Sequence, residues 1–475
     1  MEVVVVPGEH TQPLVRVVET STLGDRSYVA GDGTVSVVVD PQRDVDRILA
    51  AAGEVGPRVA LVLETHLHND YVSGGLELAR LTGAEYGMSA DEVVGFDHRP
   101  LRDEDVLTVS DRLRVRVVAT PGHTFHHLSY VLEHDGHAAG VFTGGSLLYG
   151  TTGRTDLLGD EHREELARHQ HASARRLTEE LPDGAKVWPT HGFGSFCAAG
   201  AAGTQGDTVG DQRRDNPALT LAQREFVDHA LSGLDVYPAY YAHMGAINAA
   251  GPPTLDLRPP HRASPEELTA RLDAGEWVVD LRSRKAYMST HLAGTVSLGL
   301  DGPMATWLGW LAERDAAVTL VGSSPAEVAE AQRELCRIGR DEFAAAAVGK
   351  PDELAADPTQ LRSIPTATFA DLVDRVHSRK PTGHPTLPHP DVVLDVRANT
   401  EWQAGHLEGA THLPLYALPE RMNDVPAGTV WVHCASGYRA AAAASLLAAA
   451  GRQVVHVDSP FDTAEEAGAT VVRPS

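Results

Sequence analysis

The sequence predicts a multidomain α/β protein, and three observations carry that prediction. The chain has 475 residues, room for roughly three domains at about 150 residues each. Its first part alternates short β-branched runs with Gly- and Pro-marked turns and helical stretches. Its last part holds one α/β pattern twice, with an Asp and a His eleven residues apart in each copy.

Composition narrows the function classes. A formal net charge of −25 argues against nucleic acid, whose partners need a basic face, and against an anionic membrane surface. Three cysteines, Cys197, Cys336 and Cys434, exclude a disulfide framework and suit a reducing cytosol. The apolar start Met1–Val6 stops at Pro7 without a basic region or a long apolar run, so no signal peptide is read. No run of about 18 apolar residues predicts a membrane span. The expectation is a cytoplasmic protein without a membrane or nucleic-acid partner, and assembly of identical copies stays open.

Strands are expected at Val3–Val6, Val35–Val39, Val59–Leu63, Arg114–Ala119 and Ala138–Thr143, with a helix near Asp44–Ala52. Ala198–Asp215 is Gly-, Thr- and Asp-rich and reads as a loop, followed by a helix from about Thr220 to Leu231. Gly251-Pro252-Pro253 reads as a linker. Ser264-Pro265-Glu266-Glu267 then reads as a helix start, with Ser as N-cap and Pro in the first turn. The repeat pairs Val278–Arg282 and His291–Thr295 with Val393–Arg397 and His406–Ala410. Each copy continues into another strand, Val318–Val321 or Val430–Val432. Lys380–Pro390, rich in Pro and His, reads as an insertion in the second copy. The expected domains are 1–255, 261–350 and 360–475.

Thr65-His66-Leu67-His68-Asn69-Asp70-Tyr71 follows a buried strand. Two His at i and i+2 on an extended segment point the same way, so both rings can reach one cation. Asp70 can join them or orient a ligand. Thr120-Pro121-Gly122-His123-Thr124 and Thr190-His191-Gly192 deliver two more His, again just past strands. With 24 His in the chain one alone means little. Four in post-strand turns, two of them spaced for chelation, point to a metal.

These motifs resemble the metallo-β-lactamase fold, an αββα sandwich. The tract Val141-Phe142-Thr143-Gly144-Gly145-Ser146-Leu147-Leu148-Tyr149-Gly150-Thr151-Thr152-Gly153-Arg154-Thr155-Asp156 resembles its persulfide dioxygenase branch. The likeness covers about residues 1–250. Two positions depart from the family pattern: Tyr71 stands where a His is usual, and Gly145 where a metal-binding Asp is usual. The resemblance therefore implies one metal rather than two and carries over only His66 and His123 of the family's iron ligands. The set that remains intact, His66, His68 and His123, is expected to hold the metal, with Asp70 and His191 behind it. Three imidazoles with open positions suit Fe(II) or Zn²⁺. Restoring the carboxylate by Gly145→Asp is expected to tighten iron binding. Arg154, Asp156 and Tyr241 are carried over as substrate-binding or site-shaping groups, beside the plainer readings of a structural ion pair and of core packing by Tyr237, Tyr240 and Tyr241.

His433-Cys434-Ala435-Ser436-Gly437-Tyr438-Arg439 lies between a strand and an Ala-rich helix. A Cys before a helix N-terminus meets converging N–H groups and the positive end of the dipole, which favour thiolate. Arg439 is expected to add a cation for an anionic sulfur donor. With Asp395–Arg397 and His406–Ala410, this loop resembles a rhodanese domain whose nucleophile is Cys434. The first copy resembles the same fold with Gly322 at the Cys position. Cys336 falls in the following helix.

Together the resemblances imply a sulfur-metabolism enzyme. It oxidises a low-molecular-weight thiol persulfide with O₂ to sulfite at one metal, and Cys434 exchanges sulfane sulfur with sulfite or thiosulfate. Three alternatives stand beside it: a rhodanese sulfurtransferase on a degenerate lactamase-like scaffold, a Zn-dependent thioester hydrolase, and a non-enzymatic sulfane-sulfur carrier or sensor.

Overall fold

A computed structural model describes residues 12–192, 194–199, 206–377 and 387–473. The strand expected at Val3–Val6 and most of the insertion at Lys380–Pro390 lie outside them. The chain forms two compact units, residues up to Leu255 together with Cys336–Gly339, and the remainder.

The first unit is two sheets face to face. One contains β1 (Leu14–Thr20), β2 (Asp25–Gly31), β3 (Val35–Val39), β4 (Arg58–Leu63), β5 (Glu85–Ser89) and β6 (Arg99–Leu101), in that order. Helices α1 (Val45–Val55) and α2 (Gly75–Thr82) connect its parallel strands. The other sheet runs β11 (Lys186–Pro189), β10 (His137–Gly144), β9 (Leu128–His134), β8 (Leu113–Ala119), β7 (Val106–Thr108). Helix α3 (Arg163–Glu179) links β10 to β11.

Period-two alternation explains how all-apolar strands serve two cores. Val37, Val39, Leu61 and Leu63 meet Val115, Val117, Tyr130 and Phe142 between the sheets. Val38 and Val62 turn the other way, onto the α1 and α2 residues Ile48, Ala52, Val55 and Leu78. Val118, Val131 and Val141 cover Ala174 and Leu177 of α3. This is an αββα sandwich. The segment read as a loop up to Asp215 contains a helix over Val209–Asp215, capped by Thr208, and the next long helix runs Gln223–Ser232.

In the second unit the repeat becomes two parallel sheets of the same strand order. The first runs Val296–Ser297, Trp277–Asp280, Val318–Gly322, Ala345–Val348. The second runs Thr411–His412, Val392–Asp395, Val430–His433, Val454–Val457, Thr366–Ala367. The first copy reduces the fifth strand to a single parallel bridge, Arg262 to Ala346. The eleven-residue spacing has a physical cause. In each copy the Asp at the strand end binds the Arg two residues on, Asp280 with Arg282 and Asp395 with Arg397, both with an Nη2–Oδ2 distance of 2.6 Å. The same Nη2 donates to a carbonyl just before the His, Thr290 O at 2.9 Å or Gly405 O at 2.8 Å.

Candidate metal centre and cysteine loop

The chemistry-bearing residues of the first unit gather where the strands end: Asp40 after β3, Glu64 to Asp70 after β4, His123 and His127 between β8 and β9, Gly145 after β10, His191 after β11. Asp25 opens β2 beside them. All of these His and carboxylates are buried.

Hydrogen bonds set the tautomers of three rings. Thr65 Oγ1 gives its proton to Asp40 Oδ2 at 2.8 Å, so it accepts from His66 Nδ1 at 2.9 Å. His123 Nδ1 donates to the Arg154 carbonyl at 2.7 Å. His191 Nδ1 donates to Asp25 Oδ1 at 3.1 Å, with Asp70 Oδ2 as an ion-pair neighbour at 3.0 Å. Each ring so held turns its Nε2 lone pair inward, the arrangement that orients metal-binding imidazoles. His66 Nε2 and His191 Nε2 stand 3.3 Å apart, and His123 Nε2 is buried without a hydrogen-bond partner. Tetrahedral bonds of about 2.0–2.1 Å from one ion set two nitrogens about 3.3–3.4 Å apart. His66, His123 and His191 therefore fit a single metal ion.

The sequence expectation grouped His66 and His123 with His68. The structure instead brings His191 to them and sets His68 in separate groups, with Asp70 and His191 and with Asp40 and Glu64. The reason is where the His68 Nε2 points. His68 Nε2 lies 3.2 Å from both Asp40 Oδ1 and Glu64 Oε2, and 3.0 Å from the Tyr71 hydroxyl. Burial alone would discharge His68, but Asp40 and Glu64 overcome it and push its pKa up to about 10. His191 is likewise drawn up to about 9, against burial, by Asp70 and Asp25. Burial and the surrounding rings keep His66 well below the ordinary value, and burial with His191 holds His123 down to about 3. Between His66 and His191 there is thus room for a proton or for a metal ion that displaces it.

Gly145 has a steric cause. A Cβ there would lie 2.2 Å from His123 Cδ2 and 2.6 Å from its Cγ. The His123 ring occupies the space a side chain at 145 would need, so adding Asp does not simply restore a ligand. Sequence reading also missed His127, whose Nε2 accepts from the Gly145 N–H at 3.1 Å while Nδ1 meets Thr120 Oγ1 at 2.9 Å. Asp25, Asp40 and Glu64 were missed as well. Their one sequence signal is position, Asp40 and Glu64 just past a β-rich run and Asp25 at the start of one.

Arg154 grips Asp156 through two bonds of 2.7 Å and donates to the Phe196 and Asp235 carbonyls. It staples its loop, and through its own carbonyl it orients His123. Tyr241 is 4 % exposed and packs on Tyr237 and Tyr240, so it belongs to an aromatic cluster. Cys197 is a buried thiol near Asp70, its pKa raised well above the usual range by burial and then by Asp70.

In the second unit Cys434 is buried and follows directly on Val430–His433. Its Sγ accepts the Gly437 N–H at 3.1 Å, and the helix Tyr438–Ala449 starts there. Gly437 has φ +96°, a left-handed conformation suited to Gly. Arg439 is not a free cation: Glu401 pairs with both its Nη atoms, Nη2 to Oε1 at 2.7 Å. Glu401 lies in a helix remote in sequence, which hid the neutralising partner. In the first copy, the register Asp280 to Val321 matches Asp395 to His433, which puts Gly322 at the Cys434 position. Glu327 caps the loop that follows, its Oε2 accepting the Ser323 N–H at 2.7 Å.

The rhodanese-like domain model matches residues 376–462. The first unit is similar to human mitochondrial persulfide dioxygenase ETHE1, 29% identical over 210 residues, covering 44% of this chain and 74% of that protein. It is also similar to a mouse hydroxyacylglutathione hydrolase-like protein, 30% identical over 193 residues, 40% of this chain and 61% of the relative. Among solved structures, a metallo-beta-lactamase from Staphylococcus aureus subsp. aureus COL superposes with a TM-score of 0.63 at 25% identity, covering 71% of this chain and 99% of its own. The chain joins a metallo-β-lactamase fold to a C-terminal rhodanese domain. Among the described residues, no helix is long and apolar enough to cross a membrane.

Proposed function

We propose that this chain is an enzyme of sulfur oxidation that, at one iron, converts a low-molecular-weight thiol persulfide, O₂ and water to sulfite and the free thiol, and exchanges sulfane sulfur through Cys434. The observation that carries the reading is the convergence of the Nε2 atoms of His66, His123 and His191, together with a rhodanese loop on the same chain. Similarity to a persulfide dioxygenase supports iron over zinc. Tyr71 in place of a second-site His, and Gly145 in place of a carboxylate, support one metal over two.

His66, His123 and His191 would hold the iron, which when bound would supply redox chemistry toward O₂ and a persulfide sulfur. The protein's own contribution is orientation. Asp40 fixes His66 through Thr65, Asp25 and Asp70 fix His191, and the Arg154 carbonyl fixes His123. The phenol of Tyr71, its pKa raised well above 10 by burial and then by Asp40 and Glu64, stays protonated and serves as a hydrogen-bonding partner of His68.

At the second site the Cys434 thiolate attacks the outer sulfur of thiosulfate. A Cys434 S–S bond forms, the donor's S–S bond breaks, and sulfite leaves with the bonding electrons. Run backwards, sulfite from the first reaction collects sulfane sulfur as thiosulfate. A reducing compartment, the cytosol, fits three free cysteines.

Metal analysis of the purified protein tests the reading. One iron per chain is expected, lost in His66→Ala, His123→Ala and His191→Ala and largely kept in His68→Gln. No metal after anaerobic iron loading would leave the degenerate-scaffold alternative, and two metals per chain would overturn the one-iron reading in favour of the hydrolase alternative.

A further inference from the structure

The Cys-less copy has no evident chemistry of its own, because Gly322 replaces the nucleophile and Glu327 fills the loop. Its side chains nevertheless reach the Cys434 loop of the other copy. Arg284 Nε bonds Asp458 Oδ1 at 2.9 Å, and its Nη1 bonds Asp301 Oδ2 at 3.0 Å. The Asp458 carboxylate presses on Gly437: a Cβ there would lie 2.2 Å from Asp458 Oδ1 and 3.2 Å from Arg284 Nε. From behind, His456 Nε2 donates to the Gly437 carbonyl at 2.9 Å. The next residue, Tyr438, donates its hydroxyl to the Gly299 carbonyl of the first copy at 2.9 Å, its ring lying where a Cβ on Gly302 would be.

The Gly437 N–H is the group that holds Cys434 Sγ. Its direction depends on the left-handed backbone at 437, and that backbone is pinned by Asp458, which is pinned in turn by Arg284. Arg284 is paired with two carboxylates, so it does not serve as an anion-binding cation. Its function is geometric.

We propose that the Cys-less copy is a positioning element for the active one. Arg284 acts through Asp458 to hold the Gly437 N–H on Cys434 Sγ, with Tyr438 anchored on Gly299 as the second fixing point. The inference rests on reading Cys434 as the sulfur-carrying thiol.

The test uses the full chain and the variants Arg284→Ala, Arg284→Lys, Asp458→Ala and the Arg284→Ala/Asp458→Ala double. Thiosulfate-to-cyanide sulfur transfer in Arg284→Ala is expected to lose roughly tenfold in kcat with KM within about twofold, the pattern of an interaction made only in the transition state. Arg284→Lys should recover most of it, and the double variant should be no worse than the worse single, since both act through one contact. Independently of sulfur transfer, alkylation of Cys434 by iodoacetamide, followed by mass spectrometry, should slow at least threefold in Arg284→Ala. Unchanged kcat and unchanged alkylation in Arg284→Ala would overturn the proposal. So would additive losses in the double variant, or equal losses in Arg284→Ala and Arg284→Lys that track a fall in melting temperature. If the wild-type chain transfers no sulfur while alkylation still depends on Arg284, the sulfur-transfer reading fails and the positioning role stands.

Discussion

Replacing Gly145 tests the geometry of the metal centre most sharply, because it separates a missing ligand from a filled space. Carbon atoms in contact sit about 3.5–4.0 Å apart, whereas a Cβ at 145 would lie 2.2 Å from His123 Cδ2. The ring must therefore retreat by more than about 1 Å. Its retreat is blocked on other sides: Nδ1 is held at 2.7 Å by the Arg154 carbonyl, and a Cβ on Gly153 would lie 2.7 Å from the same nitrogen. Overpacking of this kind costs about 1–3 kcal/mol. A shift of that size also moves Nε2 off a bond of about 2.0–2.1 Å. Gly145→Ala should lower metal affinity by at least about tenfold, or 1.4 kcal/mol, and Gly145→Asp should do the same. Iron titration against a competing chelator, with melting temperature as the folding control, measures it. Tighter binding by Gly145→Asp would refute the steric argument and favour the simple restoration of a carboxylate ligand. Unaltered binding by Gly145→Ala would refute it outright.

Two further outcomes concern the second unit. Burial holds His433 down to about 4, below its unfolded value of about 6.5, so its contribution to stability is complete above pH 6.5 and is lost as pH falls toward 4. Asp395 is held below the usual carboxylate range by His433 and Arg397, against burial, and its contribution is lost at still lower pH. Hydrogen exchange over Val430–His433, corrected for intrinsic rates, should show at least about 2 kcal/mol less protection at pH 5 than at pH 7. His433→Phe should reduce the slope between pH 6.5 and 5, the remainder coming from His456 and His291, whose burial also lowers their pKa; an equal slope in that variant would exclude His433 as a source. Glu401→Gln should free the Arg439 guanidinium and lower KM for thiosulfate several-fold, whereas Arg439→Ala should raise it; steady-state kinetics showing the same shift in both variants would exclude charge neutralisation by Glu401.

The fold was largely legible because its signals are local. Apolar runs of strand length, turn residues and the repeated Asp-x-Arg unit each act within a few residues of themselves. The positions of His66, His123 and Cys434 were legible for the same reason, each in a turn behind a strand. The partners that decide their roles were not. His191 rather than His68 groups with His66 and His123 because His68 Nε2 is turned onto Asp40, Glu64 and the Tyr71 hydroxyl, carboxylates that no local spacing pairs with it. Arg439 looked like a free cation because Glu401 lies 38 residues away. Gly145 looked like a lost ligand because the ring that fills its space comes from another sheet strand's end. Motif reading locates side chains, and the balance of charges and volumes among them needs the assembled fold.

Oxygen uptake by the iron-loaded chain supplied with thiol persulfides tests the central claim most directly. Consumption of O₂ with formation of sulfite is expected, converted in part to thiosulfate when sulfane sulfur is abundant, and the same uptake with sulfite accumulating in Cys434→Ser. An iron-loaded protein that consumes no oxygen with any low-molecular-weight thiol persulfide would contradict it.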